Sequence, residues 1–107
     1  IPAGKLDSVD EDPLICAKRE LSEETGYTAN KYTQIHKLAT TVGFSNEWIY
    51  IYLAQDLVKG KQHTDDDEFI NLVEMPLSEA VDLVNKGEIF DAKSVVSILM
   101  AEKLCQK

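Results

Sequence analysis

Arg19-Glu20-Leu21-Ser22-Glu23-Glu24-Thr25-Gly26-Tyr27 packs three carboxylates into little more than one helical turn and then stops at a glycine. With about 100° of rotation per residue, Glu20 and Glu24 fall on nearly one line of a helix, and Glu23 lies beside them. Like charges at this spacing repel, and a cation bound among them relieves the cost. Leu14, Ala17 and Leu21 recur at three and four positions, which gives the same segment an apolar face suited to packing on a sheet. Asp12 can cap the first amides, Pro13 suits the first helical position, and Gly26 can take the left-handed conformation just past the end. A helix between Asp12 and Gly26 is therefore expected.

Taken alone, such a helix is most simply a solvated acidic face. Its context argues otherwise. Ile1-Pro2-Ala3-Gly4-Lys5-Leu6 reads as the end of a strand running into a glycine-bearing loop, and Asp7, Asp10, Glu11 and Asp12 add oxygen donors there. Strand end, glycine loop and acidic helix together make a cradle for a hard divalent cation. Mg²⁺ takes oxygen ligands in an octahedron, keeps several waters, and uses few carboxylates beside the phosphates of its substrate.

Gly4, an acid at Asp10 or Glu11, Arg19-Glu20-Leu21, Glu23-Glu24, Gly26 and Tyr27 together resemble the Nudix box. That box is the signature of hydrolases acting on a nucleoside diphosphate linked to another group. Counting forward from Gly4 selects Asp10 as the first acid, whereas counting back from Arg19 selects Glu11, so the loop carries an insertion. Gly43-Phe44-Ser45-Asn46-Glu47, Asp65-Asp66-Asp67-Glu68-Phe69 and Asp91-Ala92-Lys93 extend the likeness to the ADP-ribose pyrophosphatase branch over most of the chain. Val42 departs from that branch, which usually has proline at this place.

The resemblance implies an α/β/α sandwich with a mixed sheet, and hydrolysis of ADP-ribose to AMP and ribose 5-phosphate. It implies Mg²⁺, with Mn²⁺ as the alternative ion, held by Glu20, Glu24, Glu23 and the Ala3 carbonyl. Arg19 would orient the glutamates. Glu68, within the acidic run 65–68, would be the general base, and Gly4, Gly43, Phe44 and Glu47 would border the substrate. A homodimer is implied for the intact protein. Another nucleoside diphosphate sugar is the alternative substrate, kept open by Val42, and a non-catalytic ADP-ribose sensor is the alternative from a different class.

Composition adds limits. Against 11 basic residues stand 19 acidic ones, a formal charge of −8 over 107 residues, which disfavours a nucleic-acid surface. Cys16 and Cys105 lie far apart, no secretory segment or membrane span is visible, and free thiols in a reducing cytoplasm are expected. His36 and His63 have no ligand-type neighbours at metal spacing.

The remainder reads as scaffold within one domain, 1–107. Strands are expected at 32–40, 48–54 and 69–75, and helices at 78–86 and 91–102. Alternation over 48–54 makes Trp48, Tyr50 and Tyr52 packing residues of one face. Residues 1–6 lack an obvious strand partner in the sequence, so the chain is expected to be the carboxy-terminal part of a longer protein, without its amino-terminal strands.

Overall fold

The computed structural model describes residues 1–6, 11–60 and 73–105. Its elements run α1 (Pro13–Thr25), β1 (Tyr27–Ala39), β2 (Trp48–Lys59), α2 (Leu77–Asn85) and α3 (Ala92–Cys105). The ends of α1 are those expected. The Asp12 carboxylate accepts from the Leu14 amide at 2.8 Å, satisfying a donor that the first turn cannot pair. Pro13 stands at the start, and Gly26, at φ 75, closes the helix by donating its amide to the Ser22 carbonyl at 2.9 Å.

β1 leaves Gly26 directly and pairs antiparallel with β2, from Tyr27 opposite Lys59 to Ala39 opposite Trp48. Both strands are longer than expected because residues 27–31 and 55–59, which carry no clear alternation, pair with each other. The register shifts between Gln34 and His36, leaving Ile35 as the extra residue of a bulge. Among the described residues the sheet is this antiparallel pair, so the mixed character expected of it does not appear there. Residues 1–6, expected to end a strand, have no regular secondary structure, and neither do 73–76. No strand lies beside either segment among the described residues, and an unpaired strand edge has nothing to hold it. The first part of the strand expected at 69–75 lies outside the described residues.

Helices flank the hairpin. The Lys18 ammonium sits 5.3 Å from the centre of the Tyr32 ring, which fixes α1 against the face that Tyr32 shares with Tyr50 and Tyr52. The most deeply buried strand residue is on the other face: Ile51 is 7% exposed, whereas Trp48 is 54% exposed. Trp48 thus does not pack as expected, while Tyr50 and Tyr52 are half-buried. Trp48 and Tyr50 flank the Lys37 ammonium, at 4.8 and 5.2 Å. α2 buries Ala80 and Val81 and packs on α3, which also touches β2. The Tyr27 hydroxyl donates to Glu74 at 3.1 Å, joining the start of β1 to the segment before α2, and that bond raises the Tyr27 pKa.

Asp91 fastens the start of α3. Its carboxylate accepts from Lys93 Nζ at 3.0 Å and from the Ser94 amide and hydroxyl at 3.1 and 2.9 Å. The Lys93 bond, then those from Ser94, hold the Asp91 carboxyl below its ordinary value.

Two outcomes follow for stability. Replacing Gly26 by alanine forces a Cβ into left-handed backbone and is expected to lower the unfolding free energy by about 1 kcal/mol, with asparagine costing less. Urea titration reads the difference, and equal midpoints for glycine and alanine would contradict the assignment. For Asp91 the folded pKa lies below the unfolded one, so its stabilisation is present above the unfolded carboxylate range, about pH 4, and is lost as pH falls through the depressed value. Asp91→Asn is expected to flatten that acid limb of the stability curve, and an unchanged acid limb would count against the contact.

Candidate active site

Residues 3–5 lie along one stripe of α1, in opposite order to it. Cys16, Glu20 and Glu24 recur every four residues, so they project along one side of the helix. The Cys16 thiol reaches the carbonyls of Lys5 and Gly4, with Sγ at 3.6 and 4.0 Å. One turn on, the Glu20 side chain fills the space where a Cβ on residue 4 would stand, so a side chain there would displace the Glu20 carboxylate. One turn further, the Glu24 carboxylate accepts from the Ala3 amide at 2.9 Å. The glycine loop and the acidic helix are brought together as the sequence predicts.

Arg19 ties the arrangement to the far side of the loop. Its Nη1 donates to Glu20 Oε1 at 3.1 Å and its Nη2 to Glu11 Oε1 at 2.9 Å, with the Lys5 carbonyl and Cys16 Sγ each 3.5 Å from Nη2. One guanidinium thus spans two carboxylates, a use suited to its planar fork. The Glu11 and Glu20 side chains are only 14% and 16% exposed, so these pairs are shielded more than a surface pair would be. Glu11 is therefore the acid that meets Arg19, as counting backward from Arg19 selects. Asp7 and Asp10 lie outside the described residues.

Glu23, expected as a third metal carboxylate, is exposed, whereas Glu20 and Glu24 are half-buried. Its position on the helix turns it away from the stripe that meets residues 3–5. Glu47 closes the hairpin mouth: its carboxylate accepts from the Thr40 hydroxyl at 2.8 Å, and the Thr40 amide donates to the Glu47 carbonyl at 3.3 Å. Ala3, Gly4, Glu20 and Glu47 all line a groove of about 1270 Å³ that runs between α1, the hairpin and the start of α3. Gly43, at φ 88, and Phe44, 91% exposed, stand outside that lining at the hairpin tip. Tyr52, also on the groove wall, has its phenol pushed up first by burial, then by the Asp12 charge and by Tyr50. Glu68 and the run 65–67 lie outside the described residues, as does His63. Cys16 is buried and Cys105 exposed.

A divalent cation fits this donor set. Glu20 and Glu24 supply hard oxygen on one stripe, and the glycine loop approaches Glu20 as closely as a missing Cβ allows. Among the described residues no three acidic, histidine or cysteine side chains converge as a ready ligand cluster. Sequence reasoning gave Cys16 no part here. Its four-residue spacing from Glu20 was the available signal.

Comparison with known proteins agrees with this geometry. Residues 1–97 match the NUDIX domain model. Over 100 residues the chain is 44% identical to the ADP-ribose pyrophosphatase of Bacillus subtilis, a match covering 92% of this chain and 54% of the relative. It is 38% identical over 97 residues to the GDP-mannose pyrophosphatase of Cronobacter sakazakii, covering 88% of this chain and 50% of that one. A crystal structure of an ADP compounds hydrolase superposes with a TM-score of 0.78 at 28% identity, over 92% of this chain and 53% of that one. The chain thus spans about half the length of these relatives. With its glycine loop seated on the acidic helix and its family model matched almost from end to end, this α/β chain belongs to the NUDIX domain family.

Proposed function

We propose that this chain carries the hydrolytic centre of an enzyme that splits the pyrophosphate of ADP-ribose into AMP and ribose 5-phosphate with Mg²⁺, Mn²⁺ being the alternative ion. The observation that supports it most is the seating of Ala3 and Gly4 against Glu24 and Glu20. A pyrophosphate repels nucleophiles because both phosphoryl groups are anionic, and the chain itself is strongly acidic. When bound, a divalent cation neutralises phosphate oxygens and makes a water acidic enough to ionise near neutral pH.

The side chains supply the rest. Glu20 and Glu24, with the Ala3 carbonyl, would hold the ion, with Glu23 as a further ligand or a supporting partner. Arg19 aims Glu20 by hydrogen bonding it while anchoring to Glu11. Glu68 accepts the proton of the attacking water. Glu47, fixed by Thr40, borders the sugar end of the substrate together with Gly43 and Phe44. The whole protein acts as a homodimer in the cytoplasm. Among the described residues no helix is long and apolar enough to cross a membrane. A second substrate, another nucleoside diphosphate sugar, is favoured by Val42 and by a relative named for GDP-mannose. A binding-only role ranks below hydrolysis because Glu20, Glu23 and Glu24 are all kept.

Incubation with ADP-ribose and Mg²⁺ is expected to release AMP, and GDP-mannose in a parallel assay separates the two substrates. Glu24→Gln keeps an oxygen for the Ala3 amide but loses the charge, and is expected to reduce kcat by roughly 100-fold or more. A rate equal to that of the parent would remove Glu24 from the site. Arg19→Gln is expected to weaken Mn²⁺ affinity by about 10-fold to 100-fold, as loss of a carboxylate's supporting partner does. Isothermal titration measures it, and unchanged affinity would mean that Glu20 needs no such support.

A further inference from the structure

Cys16 is 5% exposed and belongs to no ligand set, yet its sulfur is within reach of three groups of the cradle. As a donor it faces the carbonyls of Lys5 and Gly4 at 3.6 and 4.0 Å, and as an acceptor it faces Arg19 Nη2 at 3.5 Å. A thiol can do both, since S–H donates weakly and sulfur accepts weakly. It sits one turn before Glu20, on the stripe along which residues 3–5 are laid.

We propose that Cys16 is a positioning residue that tethers the Gly4–Lys5 backbone to α1 and so sets the distance between that loop and the carboxylates of Glu20 and Glu24. The Ala3 amide and the Gly4 and Lys5 carbonyls each meet a side chain of α1, and the Cys16 thiol accounts for two of these three contacts. Size matters at this position as much as bonding. Alanine would leave a gap beneath two carbonyls, and anything bulkier than the thiol would lift the loop from Glu20, which already occupies the space beside Gly4. Loop closure and cation binding are then linked: an ion shared by the loop and the helix favours the closed state, and the closed state buries Cys16. Only this last link rests on the metal reading given above.

The tether is tested without metal by hydrogen exchange at the Ala3 amide, which donates to Glu24. Cys16→Ala is expected to speed that exchange by roughly three-fold and Cys16→Ser to restore it, since a hydroxyl can serve the same carbonyls. Equal exchange in parent and Cys16→Ala would overturn the tether. The link to the cation is read on the parent chain by iodoacetamide labelling resolved by peptide mass spectrometry. Cys105, exposed, reports the intrinsic rate, and Cys16 reports loop opening. Mn²⁺ is expected to slow labelling of Cys16 and leave Cys105 unchanged, and Cys16→Ala is expected to weaken Mn²⁺ binding measured by electron paramagnetic resonance. Binding of Mn²⁺ with no change at Cys16 would overturn the link alone. Failure of Mn²⁺ to bind the parent chain would instead overturn the metal reading and the link together, while the Ala3 exchange still decides the tether.

Discussion

The antiparallel seating of residues 3–5 on the Cys16–Glu20–Glu24 stripe is the contact on which the site depends. It joins a segment that has no secondary structure of its own to a helix whose ends are firmly capped. It also resolves an electrostatic problem. Glu20 and Glu24 are half-buried and one turn apart, an arrangement that costs free energy unless each finds a partner. Glu24 takes the Ala3 amide, and Glu20 takes Arg19, which Glu11 anchors in turn. Before any ion arrives, both carboxylates are held in place by hydrogen bonds.

The hairpin and the helices serve this arrangement by fixing α1. Asp12 and Gly26 define the length of the helix, and Gly26 passes the chain directly into β1. The Lys18 contact with Tyr32 joins α1 to the hairpin, and Cys16 and Glu20 of its stripe line the groove that reaches Glu47. Among the described residues the buried hydrophobic side chains are Cys16, Ile51, Ala80 and Val81. Local contacts of known identity therefore matter more to the placement of the site than a large core does.

Much of this was legible in the sequence because it is written in short-range rules. The cap at Asp12, the stop at Gly26, the four-residue spacing of the glutamates and the glycine at position 4 each have a local physical cause, and each appears where expected. What was not legible depends on partners distant in sequence. The alternation of 48–54 could not say that Ile51 rather than Trp48 is buried, since register and the neighbouring helix decide which face is inner. The choice between Asp10 and Glu11 could not be made by counting, because an insertion shifts one count and not the other. Arg19 reaches Glu11, a contact that no count shows. Cys16 was read only for redox state, since its contacts with Gly4 and Lys5 exist only once the loop folds back.

The most direct test of this account is the affinity of the chain for Mn²⁺ after Gly4→Ala, measured alongside the melting temperature. A methyl group at residue 4 meets the Glu20 carboxylate, so the account predicts a large loss of affinity with little change in melting. Parent-like affinity in the alanine variant would contradict it, because the ion would then not depend on the closeness of the loop to Glu20.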